Sequence, residues 1–363
     1  MRVVVVRSRF GGVLGEVAQG LAQAFGAPLH DADAADAPAA DLAVLVGAGI
    51  EFDRALRGRW WRGRRPQVAL WGFDPFPPPG LDQAEKARGE RAGLRAGRAR
   101  RLDSRLGHPF GGPGAGGRAK RWLRALTLRS RLSGQVQTHD LQTTVDPRLA
   151  VVTFERLLAV RAAVSRGAID HVLVSSPASV RTLAEYGVHA HYEPVPRHDG
   201  FGARRDQVRD LPVLFVGMSR DRRGDRLRAL AASLEGRGIP LTIVDRGLYG
   251  EARTALLNRA RILVNLHKYP WHFERIRFSL AAANGALLVS EGPIADPAPM
   301  EPGVHLVAAP TTELPAVIES LLQAPARIEA LAQQAAALYA AQDGFDAVAR
   351  RLTALAGAAG AVR

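Results

Sequence analysis

"RILVNLHKYPWHFERIRFSLAAANGALLVSE", residues 261–291, decides the fold. Its opening, "RILVNLH", is a continuous apolar run of strand length. "FERIRFSLAAANG", 273–285, carries Phe273, Ile276, Leu280 and Ala283 at helical spacing and ends on Asn284-Gly285, a helix stop signal. "ALLVSE", 286–291, reads as another buried strand. The unit is strand–loop–helix–strand. Between strand and helix, His267, Tyr269, Trp271, His272 and Glu274 crowd together in a chain otherwise dominated by alanine, leucine, valine and arginine. Open α/β sheets bind ligands outside the carboxyl ends of their strands. A helix start also presents unpaired N–H groups and a positive dipole end, which suits phosphate. The cluster therefore reads as a site. The plainer alternative is an ordinary loop with Glu274 favoured at the helix start by the dipole.

The same alternation runs outward in both directions. Upstream, "MRVVVVRS", "DLAVLVGAG" (41–49) and "QVALWGFD" (67–74) read as strands, with "FGGVLGEVAQGLAQAFGA" (10–27) as a glycine loop and amphipathic helix. "RLAVVTF" (148–154) reads as the start of another strand–helix unit, with "ERLLAVRAAVSRG" as its helix. "HVLVSS" (171–176), "PASVRTLAEYG" and "VHAHYEPV" follow as strand, helix and short strand. "RHDGFGARRDQVRD", 197–210, is polar, glycine-bearing and without period, and reads as an interdomain linker. The pattern then restarts at Leu211. "GVHLVAA" (303–309) reads as the last strand, and two helices follow from about Glu313. The expectation is an α/β chain of two Rossmann-like domains, 1–200 and 201–363, facing each other across a cleft.

Composition narrows the chemistry. At 363 residues, 47% apolar, the chain supports two cores. It has no cysteine, so no disulfide frame and no thiolate nucleophile or metal ligand. "MRVVVV" is too short for the apolar region of a signal peptide, and no stretch approaches a membrane span, which predicts a cytoplasmic protein. No zinc spacing, nucleophile elbow or Walker loop occurs. The net charge is +14, and residues 84–131 hold fourteen lysines and arginines against Glu85, Glu90 and Asp103, a local net of +11. An anionic partner is one reading of this insertion: acidic lipid at a peripheral membrane contact, nucleic acid, or a phosphorylated acceptor. A solvated insertion, helical or irregular and outside the sheet, is the other. Phe110 and Trp122 are too few to make a base-stacking platform.

From Val213 to about Leu355 the chain resembles the C-terminal domain of GT-B-fold glycosyltransferases, especially the bacterial spore-maturation-type group. The matching stretches are "LFVGMSRDRRGDRLRAL", "RTALLNRARILVNLHKY", "FERIRFSLAAANGALLVSE" and "EPGVHLVAAPTTELPAVIESLL". "HVLVSSPASVRTLAEYGVHAHYEPV" resembles the end of that family's N-terminal domain. The resemblance implies a nucleotide-sugar donor held mainly on the C-terminal domain, an acceptor on the N-terminal one, a metal-independent hexosyl transfer and no cofactor. Retaining members often carry two glutamates eight residues apart; counted back from Gly285, those places here are His272 and Leu280. Glu274 and Arg277 stand instead one turn apart on one face.

These residues set out a candidate site. Transfer from a nucleotide sugar leaves a diphosphate whose charge needs fixed cations or helix-end N–H groups. Arg222 or Arg223 in "SRDRRGD" is the first candidate and Arg277 the second, because an arginine fork matches phosphate oxygens. Glu274 is placed to accept from ribose or sugar hydroxyls, and Glu291 of "VSE" joins the donor-binding set. His267 follows its strand directly, where it contacts sugar or phosphate or merely caps the strand. Gly11 and Gly12 after the first strand allow backbone N–H groups close to a ligand, or form a tight turn. Asp74 in "WGFDPFPPP" is placed to take an acceptor proton, or starts a turn. The expectation is that His267, Glu274 and Arg277 line the cleft with Arg222 or Arg223 across from them. A sugar-nucleotide epimerase, an inactive nucleotide-binding homologue and a nucleic-acid-modifying glycosyltransferase remain as alternatives.

Overall fold

The computed structural model describes residues 1–8, 12–34, 36–47, 52, 55–57, 60, 61, 63–105, 147–219, 221–245 and 247–360. They form two wholly parallel sheets. The first contains β1 (Val3–Arg7), β2 (Leu29–Asp31), β3 (Leu42–Val46), β4 (Gln67–Gly72), β5 (His171–Val174) and β6 (His191–Tyr192), in the order β2-β1-β3-β4-β5-β6. The second contains β7 (Leu211–Val216), β8 (Leu241–Val244), β9 (Ala260–Asn265), β10 (Leu287–Glu291) and β11 (Val307–Ala309), in the order β11-β10-β9-β7-β8. Parallel strands covered on both faces need continuous apolar runs, and β3 and β10 are buried at every position. Each sheet reverses direction of winding beside its first strand. The crevices at these switch points lie outside β1/β3 and β7/β9, where doubly wound sheets hold ligands.

The helices among the described residues are α1 (Val13–Phe25), α2 (Gln83–Arg105), α3 (Pro147–Ser165), α4 (Pro177–Glu185), α5 (Asp221–Glu235), α6 (Gly250–Arg259), α7 (Arg275–Ala283), α8 (Leu314–Leu322), α9 (Pro325–Ala340) and α10 (Phe345–Gly360). None of them is long and apolar enough to cross a membrane. Several expectations need correction. "RLAVVTF" is not a strand but the first two turns of α3. Pro147 suits a helix start, no breaker separates 148–154 from the following helical run, and a short apolar run does not by itself distinguish strand from buried helix. In "GVHLVAA" only Val307–Ala309 is strand, because Gly303 at φ 89° turns the chain and its N–H bonds the Leu306 carbonyl at 2.7 Å. Three helices, not two, follow Glu313.

The last of them crosses back to the first sheet. α10 packs on α1, and a Cβ on Gly20 would fall 2.4 Å from the Phe345 ring, so glycine sets how closely the two helices approach. The 197–210 stretch is pinned rather than loose. Phe201 is fully buried, Asn284 Nδ2 donates to its carbonyl at 2.8 Å, and Arg209 donates to the carbonyls of Ala260 and Asn284 at 2.6 and 2.7 Å. In the basic insertion, α2 lies off the sheet between β4 and β5, and residues 106–131 fall outside the described residues.

Candidate functional site

The site grows from the carboxyl ends of β7, β9 and β10. His267 leaves β9 and turns inward: its side chain is buried, its backbone N–H donates to Glu291 Oε2 at 3.0 Å, and its Nε2 lies 2.7 Å from the Glu291 carbonyl. A carbonyl only accepts, so Nε2 carries the proton, and Nδ1 is buried without a partner among the described residues. Burial pushes the imidazole down to about 4 despite the nearby charge of Glu291, so it is neutral at pH 7.

Glu291 is the hub beneath this loop. Its carboxylate accepts from Arg222 at 2.5 and 3.1 Å, from Thr311 Oγ1 at 3.2 Å and from Arg226. Burial opposes its ionisation, but the hydrogen bonds and charge of Arg222, with His267 and Arg226, outweigh burial and hold the carboxyl below its ordinary value. Arg222 also donates to the His267 carbonyl at 2.8 Å. Both residues placed in the donor-binding set by sequence are thus tied to each other across β10 and the start of α5.

Arg223 and Arg277 form a second knot, around Glu274. Arg223 Nη2 donates to Glu274 Oε1 at 2.7 Å and its Nε to the Leu266 carbonyl at 2.8 Å. Arg277 Nε donates to Glu274 Oε2 at 3.1 Å, and its guanidinium lies 5.0 Å over the Phe215 ring. Glu274 occupies the N-cap position of α7 but makes no side-chain cap, because its carboxylate turns to the two arginines. Burial disfavours the charged carboxylate; the charges of Arg223 and Arg277 reverse this and hold it well below the usual carboxylate range. Burial, then the like charge of Arg223, pulls Arg277 down to about 10, still cationic at neutral pH. Arg223 faces Glu274 and Arg222 faces the His267 carbonyl, both from within the second domain. The first turn of α5 abuts the β9 loop within one domain, and a buried carboxylate draws the nearest guanidinium to it.

One donor is left over. Arg277 Nη1 is buried without a hydrogen-bond partner among the described residues. Its neighbour Nη2 would lie 2.5 Å from a Cβ on Gly217, which sits at the end of β7 with φ 134°. Glycine is what admits the guanidinium there. Beyond it, Ser219 folds the loop by donating from its N–H and Oγ to Asp245 Oδ1, each at 2.6 Å, and α5 begins at Asp221.

The first domain meets this surface closely. Gly12, at φ 70°, starts α1, and a Cβ on it would lie 3.2 Å from the Tyr249 hydroxyl; Gly11 falls outside the described residues. Glu16 accepts from the Gly250 N–H at 3.2 Å and from buried Arg253 at 2.8 Å. Trp271 Nε1 donates to the Phe76 carbonyl at 2.9 Å. Asp74 is paired with Arg156 of α3 at 3.0 Å rather than standing alone. His272 belongs to the polar cluster read as a site from the sequence, where it also marks a departure from a family pattern. Its ring is buried, its Nδ1 has no partner among the described residues, and it feels the charges of Glu274 from one domain and of Asp74 and Arg156 from the other. Burial pushes its pKa down against both carboxylates. The local sequence marks His272 only as one of that cluster, since its setting depends on a loop about two hundred residues away in sequence.

No family model and no curated protein matches the sequence. Solved structures do. TarM matches with a TM-score of 0.53 at 7% identity, over 87% of this chain and 54% of its own, so this chain spans about half the length of TarM. HepE of Anabaena, in complex with UDP and glucose, matches with a TM-score of 0.52 at 11% identity, over 99% of this chain and 100% of its own. Both are GT-B glycosyltransferases. At such identities the likeness is one of architecture: the chain has the GT-B fold, two parallel α/β domains facing each other across a cleft.

Proposed function

We propose that the protein is a glycosyltransferase that moves a sugar from a nucleotide-sugar donor to an acceptor. The donor binds the 201–363 domain, and the acceptor approaches from the 1–200 domain, with α10 crossing back to brace it. The observation that supports this most is the orphan Arg277 Nη1 at the switch point of the second sheet, between the end of β7 and the start of α5. A buried cation with an unsatisfied donor beside a helix N-terminus suits a diphosphate, whose growing charge in the departing nucleotide it stabilises.

In this reading Glu274 is first a positioning residue. Kept ionised, it holds Arg223 and Arg277 in one arrangement, so little reorganisation is needed as charge develops. A carboxylate has about four lone-pair positions, two of which the arginines take here. Its side chain is 30% exposed, which leaves room to accept from a donor hydroxyl. Arg222 and Glu291 brace the loop beneath. His272, neutral and with a free ring nitrogen between Glu274 and Asp74, meets the transferred sugar or the incoming acceptor hydroxyl. Asp74, oriented by Arg156, is the group on the acceptor side. A cytoplasmic setting in a bacterial cell goes with this reading as an expectation from sequence, open to cell fractionation.

HepE with UDP and glucose makes UDP the first nucleotide to try. The test is a thermal-shift and calorimetric screen of UDP, GDP, ADP and their sugar conjugates, followed by donor hydrolysis and transfer assays. A ligand that binds only the folded state raises the melting temperature, by about 2.7 kcal/mol of stabilisation at a hundred times Kd. If no nucleotide binds, the reading fails. If one binds and the enzyme neither hydrolyses nor transfers its sugar, the protein is a nucleotide-binding homologue without catalysis.

A further inference from the structure

We propose that the exposed arginine face of α2 docks the protein on an anionic lipid bilayer. The inference stands apart from the nucleotide site and starts from the two faces of one helix. Asp82 and Glu85 start α2 as a reciprocal cap, with Glu85 N–H on Asp82 Oδ1 at 2.7 Å and Asp82 N–H on Glu85 Oε2 at 3.2 Å. Gly89, Gly93 and Gly97 then recur every four residues along one face. A Cβ on Gly89 would fall 2.1 Å from the Phe154 ring, and one on Gly93 would fall 3.0 Å from the backbone N of Glu155. This seam presses α2 against α3 along three turns, and so fixes which side looks outward.

The outward side carries Arg88, Arg91, Arg95 and Arg98, spaced three, four and three residues, all exposed. Leu94, a turn from both Arg91 and Arg98, is 46% exposed. Among the described residues none of the four arginines makes an ion pair. The carboxylates near by are engaged elsewhere: Glu85 in the cap, Glu90 with Arg161 at 3.7 Å, and Glu185 with Lys86 at 2.8 Å. Like charges one turn apart repel, and glycines weaken a helix interior. The helix therefore carries two unfavourable features whose joint effect is a flat, unneutralised cationic face.

A bilayer fits that face better than a nucleic acid. A single helix, about 10–12 Å across with its side chains, already fills a major groove of about 12 Å. α2 is fused along its glycine seam to α3, so it cannot enter alone. The described face carries no aromatic ring on which a base stacks. Lipid phosphates instead meet the guanidinium forks in a plane, and Leu94 enters the interfacial layer between them.

The test is vesicle co-sedimentation of the full chain with phosphatidylcholine alone and with 30% phosphatidylglycerol, at low and at 0.5 M salt. The wild type binds only the anionic vesicles and is released by salt. Arg88→Gln/Arg91→Gln/Arg95→Gln/Arg98→Gln lowers that binding at least tenfold with an unchanged melting temperature; if the quadruple variant fails to fold, Arg91→Gln/Arg95→Gln lowers it several-fold. Arg166→Gln/Arg228→Gln/Arg327→Gln/Arg350→Gln, which removes the same charge from other exposed positions, keeps it. The proposal is overturned if the wild type ignores anionic vesicles, or if the α2 variant binds them as the parent does. It is equally overturned if the control variant loses as much, or if duplex DNA or single-stranded RNA binds through these arginines while vesicles do not.

Discussion

Glu274→Gln removes the charge that holds Arg223 and Arg277 together, and its consequences can be worked from the two contacts. The carboxylate accepts at 2.7 Å from Arg223 and at 3.1 Å from Arg277, and both guanidinium groups are buried. A hydrogen bond to a charged group is worth about 1.5–3 kcal/mol, and opening a buried ion pair costs about 3–5 kcal/mol. Glutamine retains one acceptor oxygen and turns an amide N–H₂ toward the other guanidinium. One of the two contacts survives, so the expected loss is about 2–4 kcal/mol. For a cooperative unit of this length, that lowers Tm by about 3–5 °C.

The loss has a pH signature. Glu274 titrates below its unfolded value, so its contribution is fully present above about pH 5 and fades as pH falls toward the folded value. The stability difference between parent and variant is therefore flat from pH 8 to 5 and shrinks below about pH 4.5. Freed from its anchor, Arg277 no longer points its spare N–H at one place, and affinity for a nucleoside diphosphate falls about tenfold or more, ~1.4 kcal/mol. Urea melts across pH and calorimetric titration measure both quantities. If the variant equals the parent in stability and in affinity, the reasoning fails. If stability drops and affinity does not, the Glu274 knot is a support of the fold alone.

Gly217→Ala sets a methyl 2.5 Å from Arg277 Nη2 at a φ that L-residues avoid, so about 1–3 kcal/mol of stability is expected to go together with nucleotide affinity, read by melting and titration. His267 is neutral in the fold and titrates at about 4, below its unfolded 6.5, so stability is retained above pH 6.5 and falls by about 3 kcal/mol on acidification to pH 4; His267→Asn flattens that slope in urea melts. His272→Leu removes a buried Nδ1 that has no hydrogen-bond partner among the described residues, so Tm stays within about 1 °C while transfer slows about tenfold or more; an unchanged kcat removes His272 from the site.

Much of the architecture is legible along the chain because it follows from local periodicity. Val3–Val6, Leu42–Val46 and Leu287–Val289 are continuous apolar runs, as strands covered on both faces require, and the Asn284-Gly285 pair ends its helix where expected. The polar cluster at 267–274 is legible for the same reason: it falls at the carboxyl end of a strand and the start of a helix. Where periodicity is mute, the local pattern does not choose between elements. A strand and a buried helix share the pattern at 148–154, and Pro147 with the unbroken run behind it settled the matter for helix.

What the sequence by itself determined is therefore the succession of units and the place where polar groups gather, since both depend on neighbours within a few residues. The tertiary structure decided what those groups are to one another. Among 49 lysines and arginines, no spacing says that Arg222 belongs to Glu291, 69 residues on, or Arg223 to Glu274, 51 residues on. Nor does any spacing say that Arg277 is left with a spare donor, that His272 lies between carboxylates of two domains, or that three glycines turn four arginines outward. Pairing, burial and ionisation are set by distance through space and by the water that folding removes, and neither quantity is written in the local order of the residues.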